Sequence, residues 1–395
     1  MDVRKDFPML ENNPKLIYFD NACTALKPRQ VIEAERRYYE EYCGCAGRSN
    51  HKIGKKTEDS FEGARKKIAS FVGAEMVVFT KNASEALNLV IQKTSFSKRG
   101  RAVTTVMEHH SALLPLIVRR DKKELELAIA EPSMQGVFDV EPFKALVGKQ
   151  TALVVVHAQS NSLGTRPPLK EIVGIARDAG ARVLVDGAQS VPHSPTNLKA
   201  LGADFIAFSG HKMLGPTGIG CLAASADAVE SLGYPFLAGG ETIEAVSFDK
   251  VVWAEPPQRF EAGIQNYAGA IGLAAACDYL KSKGMPAVES HDQALASRIA
   301  QGLRAIDGVT VYGPQTPESG VVTFNVGKAS PHEIALFVER DCGVALRSGV
   351  FCAEPAMDFL GVPKGAVRAS LYLYNTGAEC DALVAAVAKA AAIMA

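Results

Sequence analysis

Short apolar runs alternate with longer amphipathic segments over the first two-thirds of the chain. Met76–Thr80, Ala102–Val106, Ala152–His157, Arg182–Asp186, Phe205–Ser209 and Gly220–Ala224 are apolar and rich in β-branched residues, and read as strands. Between them Ala83–Thr94, a segment from about Ser111, and Leu169–Ala179 carry apolar residues at helical spacing. The runs Ala-Leu-Val-Val-Val and Arg-Val-Leu-Val-Asp lack polar alternation. A strand apolar on both faces belongs in a parallel sheet covered by helices on each side. The pattern predicts an α/β fold with a large, doubly wound and mostly parallel sheet.

From about Met285 the texture changes. Asp292–Ile306 reads as a helix, Val309–Tyr312 and Gly320–Val326 as strands, and a last helix starts near Glu379. A second, smaller α+β domain is expected, with the boundary inside the helical stretch Tyr267–Lys283. The expected division is residues 16–280 for the large domain, and 1–15 with 281–395 for the small one.

With 395 residues and 47% hydrophobic content, the chain can bury a large core and is long enough for two domains. Lys plus Arg and Asp plus Glu both total 43. That balance gives no electrostatic case for nucleic acid or a membrane surface as partner, and points to a small-molecule substrate. The start, MDVRKDFPML, lacks the pattern of a signal peptide. No apolar run is long enough to span a membrane. A soluble, cytoplasmic protein is expected. The eight cysteines are irregularly spaced, so a disulfide scaffold is not expected. Most read as small buried hydrophobes, with one or two reactive.

Candidate chemistry sits where strands end. Lys212 follows Ser209-Gly210-His211 and opens a glycine-rich turn. Glycines let backbone approach a ligand closely, and a lysine there can form a Schiff base or simply be a loop residue. Asp186 closes the run Val183-Leu184-Val185. It can hold a pyridinium nitrogen protonated, or cap the next turn. It lies roughly 25 residues before Lys212, enough for one crossover helix and one strand. Asn82-Ala83-Ser84 stands between strand and helix, fitting a phosphate cradle as well as an ordinary N-cap. His109 and His110 follow Glu108 at another strand end. No further ligand set accompanies them, so an imidazole stacked on a cofactor fits better than a metal. No metal site is expected. Nor does a Gly-x-Gly-x-x-Gly motif open a helix after a strand, which weakens a nucleotide-binding reading.

Taken together, Tyr18-Phe19-Asp20-Asn21-Ala22, the stretch Asp186-Gly187-Ala188-Gln189-Ser190, Ser209 to Gly220, Arg259-Phe260-Glu261-Ala262-Gly263 and Arg368 to Thr376 resemble the class V aminotransferase family of fold-type I pyridoxal 5'-phosphate (PLP) enzymes. Within it the resemblance is to SUF-type (group II) cysteine desulfurases and their selenocysteine lyase relatives, and it spans nearly the whole chain. The resemblance implies that Lys212 is the Schiff-base lysine, Asp186 the pyridinium partner and His110 the stacking imidazole. Gln189 and Asn161 would lie near the ring hydroxyl. Ala83, Ser84, Ser209 and His211 would hold the phosphate. Arg368 would bind the substrate carboxylate together with Asn161 and Arg347, and Cys352 would be the nucleophile. A homodimer is implied as well.

Two positions depart from the family. Val350 and Phe351 stand where a polar pair, often histidines, precedes the cysteine, and Ile264 stands where a threonine reaches the partner subunit's phosphate. Cys43-Gly44-Cys45 is unusual and reads as incidental rather than metal-binding. The expected activity is conversion of L-cysteine to L-alanine with a Cys352 persulfide that passes sulfur to an acceptor protein, as in iron–sulfur cluster assembly. The alternatives are a selenocysteine lyase, a cysteine-sulfinate desulfinase, or a class V epimerase or aminotransferase. A non-enzymatic sulfur-transfer scaffold conflicts with the full set of Lys212, Asp186, His110 and Arg368.

Overall fold

The computed structural model describes residues 1–47 and 49–394. Seven strands form the main sheet: β1 (Met76–Thr80), β2 (Arg101–Thr105), β3 (Glu126–Ala130), β4 (Thr151–His157), β5 (Arg182–Asp186), β6 (Phe205–Ser209) and β7 (Gly220–Ala224). Their order is β1-β7-β6-β5-β4-β2-β3. All pairings are parallel except those of β7, which runs antiparallel to both β6 and β1. Six strands therefore point the same way, and their carboxyl ends share one edge.

Alternation along each strand splits the apolar residues between two cores. Val154, Val183, Val185, Ile206 and Phe208 face one side, with residues of α2 (Lys52–Val72), α5 (Leu169–Asp178) and α6 (Tyr267–Lys283). Leu153, Val155, Leu184, Phe205 and Ala207 face the other, with α3 (Ala83–Lys93) and α4 (His110–Asp121). Each fully buried Val, Leu or Phe contributes about 1.5–3 kcal/mol, which is why the unbroken apolar runs settle in the middle of the sheet. This is the three-layer arrangement that those runs predict.

Two hairpin strands, β8 (Ile243–Val246) and β9 (Val251–Trp253), pair only with each other. The small sheet is antiparallel in the order β10-β11-β13-β12, formed by Val309–Tyr312, Val321–Val326, Ala366–Ser370 (β13) and Arg347–Gly349 (β12). Helices α7 (Met285–Arg304), α8 (Pro331–Cys342) and α10 (Gly377–Met394) close its core through Ile299, Leu303, Val338, Leu383 and Val387; α9 (Glu354–Phe359) lies at the cysteine loop. Phe7 packs edge-on against Tyr279 and Tyr374, which ties the amino-terminal segment to α6 and to the loop before α10.

A buried ion pair fixes α2, β1 and the loop before α6 to one another. Arg65 Nη1 and Nη2 donate to the two carboxylate oxygens of Glu261 at 2.6 and 2.9 Å, and Nη1 also reaches the Val77 carbonyl. Glu261 accepts the Phe79 N–H at 2.6 Å as well. Replacing Glu261 by Gln leaves the buried guanidinium with the part-exposed Glu62 as its charged partner. Urea unfolding should show a loss of about 3–5 kcal/mol for Glu261→Gln.

Candidate active site

The carboxyl ends of β1, β2, β4, β5 and β6 open onto a cavity of about 620 Å³, closed on its far side by residues of the small sheet and of the 350–354 loop. Ligands of open α/β sheets bind at this edge.

At one end lies the start of α3. The Asn82 side chain caps it by accepting the Glu85 N–H at 3.0 Å. The Ala83 N–H donates to Ser209 Oγ at 2.8 Å, and Ser84 Oγ lies 2.5 Å from Ser111 Oγ. The Ser84 N–H keeps no intrachain acceptor among the described residues, as expected of a first helical turn. A Cβ at Gly220 would sit 2.5 Å from Asn82 Cα, so only glycine lets β7 pass under this turn. His211 stands beside it, half-buried. Burial, then Lys212 and Lys27, hold its imidazole down at about 4. Backbone donors, hydroxyls and a helix N-terminus make an anion cradle.

In the middle, Asp186 ends β5 and is buried, with Oδ1 accepting the Ala188 N–H at 2.9 Å. Burial raises its pKa, while that N–H and Lys212 oppose the rise. Lys212 ends a single 3-10 turn directly after β6. Solvent reaches its amine through the cavity it lines, yet the surrounding protein lowers its pKa; Asp186 raises it and Arg368 lowers it further. Gln189 lines the same wall and donates to the Ala22 carbonyl at 2.9 Å.

The two adjacent imidazoles have different surroundings. Both His109 and the expected His110 line the cavity, but His109 lies in the field of Lys212 while His110 Nε2 is 2.5 Å from Glu354 Oε2. The reason is local. His109 is the extended N-cap of α4 and its Nδ1 accepts the Ser111 N–H at 3.1 Å, whereas His110 is the first helical residue, so the two side chains diverge. Burial, then Lys212, His110 and Arg368, lower His109 to about 4.

At the small-sheet side, Arg368 of β13 is buried and donates from Nη1 to the Asn161 carbonyl at 2.8 Å. Its Nη2 lies 3.4 Å from Asp20 Oδ1, and its Nε has no partner. Arg347 is its register neighbour on β12 and is exposed. Asn161 donates to the Phe351 carbonyl at 2.8 Å, and the His110 N–H donates to the Cys352 carbonyl at 2.9 Å. Cys352 itself is exposed and lines the cavity. All the residues expected from sequence are thus gathered at one cavity. Cys23, with its exposed thiol, and the buried His157, whose partner is Glu108, also line it and were not anticipated. The readable signal was position: Cys23 directly follows Ala22, and His157 ends a strand. Cys43 and Cys45 lie outside this cavity, and Ile264 is 67% exposed beside a separate one. Among the described residues no group of three or more His, Cys, Asp or Glu side chains is placed to hold a metal ion.

Residues 17–383 match the family Aminotransferase class-V. The chain belongs to the class V aminotransferase family. A probable cysteine desulfurase of Halobacterium salinarum is 42% identical, with 100% of this chain and 97% of that protein aligned. The apo cysteine desulfurase of Thermococcus onnurineus NA1 superposes with a TM-score of 0.93 at 41% identity, covering 99% of this chain and 98% of that one. The cysteine desulfurase CsdA of Escherichia coli, in an S-sulfonic acid form, gives 0.90 at 32% identity, covering 99% and 98%. The fold is therefore fold-type I, and the family depends on PLP. The residues present fit that cofactor: an anion cradle at Ala83–Ser84, a carboxylate at the end of β5 and a cavity-facing amine at Lys212 lie along one wall.

The depressed pKa of His109 has a consequence for stability. A histidine whose folded pKa lies below its unfolded value stabilises the fold above about 6.5, and that contribution is lost as pH falls through about 4. Thermal unfolding between pH 7 and 4 should therefore fall less steeply for His109→Asn, which retains a capping oxygen, than for the wild type.

Proposed function

We propose that this protein is a PLP-dependent cysteine desulfurase, taking L-cysteine to L-alanine and leaving the sulfur as a persulfide on Cys352 for an acceptor protein such as one that assembles iron–sulfur clusters. The observation that carries the reading is the convergence of the Lys212 amine, the Asp186 carboxylate, the Arg368 guanidinium and the exposed Cys352 thiol on one cavity. Bound PLP supplies an aldehyde that condenses with amines and a ring that stores the electron pair of a broken bond at Cα.

The chain's own groups do the rest. Lys212 Nζ anchors the cofactor, and its lowered pKa provides the free amine that both anchoring and moving the substrate Cα proton require. Asp186 keeps a proton on the ring nitrogen. His109, kept neutral by its surroundings, covers the ring in place of His110. Ser84 and His211 take the phosphate with Ala83 and Ser209, and Gln189 and Asn161 border the ring. The Arg368 fork takes the substrate carboxylate, with Arg347 adding positive charge at the mouth. The Cys352 thiolate attacks the substrate sulfur, the sulfur–Cβ bond breaks with its electron pair passing to the carbon fragment, which takes up protons and leaves as alanine, and a Cys352 persulfide results.

A homodimer is part of the proposal. Phe248, Val246 and Val251 on the β8–β9 hairpin are exposed, Phe248 fully, and Tyr234, Leu237 and Ile264 are exposed in neighbouring segments. Apolar surface of this kind marks an interaction site. Eight free cysteines, three of them exposed, fit a reducing cytoplasm.

Mass spectrometry after alkylation should find one extra sulfur on Cys352 when PLP-loaded protein meets L-cysteine without reductant, together with one alanine per persulfide. Cys352→Ala should retain the visible band of bound PLP but lose at least about a hundredfold in turnover; undiminished turnover would remove Cys352 from the mechanism. Sedimentation of Phe248→Lys should shift the protein toward a smaller species than wild type.

A further inference from the structure

His157 and Asp186 are register partners at the ends of adjacent parallel strands, so both side chains leave the sheet on the cavity side. His157 is 3% exposed, and Glu108, which follows β2, is fully buried. His157 Nδ1 lies 2.7 Å from Glu108 Oε1. The same oxygen accepts from Thr105 Oγ1 at 2.7 Å and from the His157 N–H at 3.2 Å. Three contacts on one oxygen fix the imidazole. What is left over is informative: His157 Nε2 and Glu108 Oε2 are buried with no partner. A buried polar atom left unpaired costs about 1–3 kcal/mol, and a native fold keeps few of them.

Charge gives the pair a role. Burial alone pushes the His157 imidazole down, but Glu108 and then Asp186 more than offset this, and the net direction is up. Asp186 is pushed up by burial and pulled back by the Ala188 N–H and Lys212. Glu108 then pushes it further up, and His157 opposes that. Glu108 at the end of β2, Thr105 within it and Asp186 on β5 face the imidazole, and the Phe138 ring stands 6.0 Å away. The imidazole, held between two carboxylates, is thereby biased toward its charged form.

We propose that the Glu108–His157 pair is the positioning support of Asp186, holding that carboxylate ionised and turned to the cavity where a cofactor's ring nitrogen would meet it. The proposal rests on the reading of this cavity as a PLP site. It assigns a task to two residues that touch neither the sulfur chemistry nor the phosphate cradle. Loss of the cation would let Glu108 drive a proton onto Asp186, and a protonated Asp186 no longer favours a charged ring nitrogen.

The test uses full-length protein titrated with PLP and read by absorbance. His157→Gln keeps a polar side chain but cannot carry charge. It should raise the PLP dissociation constant by about tenfold or more and displace the pH titration of the visible band. Thr105→Val, which removes one hydrogen bond and no charge, should stay near wild type. If His157→Gln does not fold, His157→Asn, shorter and likewise uncharged beside an intact Glu108, carries the same expectation. A folded His157→Gln or His157→Asn with an unmoved band and a dissociation constant within about twofold of wild type overturns the proposal. Wild-type protein that acquires no visible band with PLP would remove the cofactor reading, and this inference with it. Absence of alanine formation alone would count only against the desulfurase reading, since neither readout here depends on it.

Discussion

Phe351 and Cys352 adopt left-handed backbone in succession, at φ 57° and 55°. Neither is glycine, and each such residue costs about 1–2 kcal/mol. The loop keeps this shape because three contacts oppose the strain. Asn161 takes the Phe351 carbonyl, the His110 N–H takes the Cys352 carbonyl, and the Phe351 ring is buried. Two hydrogen bonds at about 0.5–1.5 kcal/mol each and a buried aromatic at about 1.5–3 kcal/mol are enough to offset it. The result turns the Cys352 thiol out of the backbone path and into the cavity mouth. The sulfur chemistry of this site depends on that turn, because a relaxed loop would carry the thiol elsewhere.

The same contacts explain what Phe351 does in place of a polar residue. Its ring lies 4.8 Å from the Arg368 guanidinium carbon, a cation–π distance. Arg368 in turn donates to the Asn161 carbonyl, and Asn161 donates back to Phe351. Three residues from β13, the loop after β4 and the cysteine loop thus close a ring of contacts. The thiol-bearing loop and Arg368 are set relative to each other by one asparagine. A histidine at 351 could take part in proton transfer, but a phenylalanine there excludes water from the arginine and stiffens its approach. On the opposite wall the His110 N–H holds the Cys352 carbonyl and its ring is held by Glu354.

Much of this was legible in the chain because buried parallel strands are apolar without interruption. β1, β5, β6 and β7 fall where the apolar runs place them, and β10 does too. The residues that end those strands form the cavity for a topological reason, since strands running the same way end at the same edge. Elements with mixed composition were not legible. β3 is an edge strand with an exposed Glu126, and the β8–β9 hairpin exposes apolar side chains that no intrachain core accounts for. Helices α2 and α1 (Arg29–Glu41) carry many charges, and their buried stripe is narrow. The different surroundings of His109 and His110 were beyond sequence altogether. They turn on which residue is the cap and which is the first helical position, a one-residue distinction that composition does not encode. The Glu108–His157 pair was hidden for a related reason: the two residues are adjacent in space through β2 and β4 but far apart along the chain.

The charges of the cavity explain why a neutral protein can run this site. Lys212, Arg347, Lys364 and Arg368 bring four basic side chains to its wall, and Asp186 and Glu354 lie among them. Were Lys212 exposed, it would stay protonated and could not act as a nucleophile. Burial and Arg368 take its pKa down, and Asp186 limits the fall. Burial and Arg368 thus favour the uncharged amine, and Asp186 opposes them. An anion paired with Arg368 would screen that repulsion and shift Lys212 back toward its charged form.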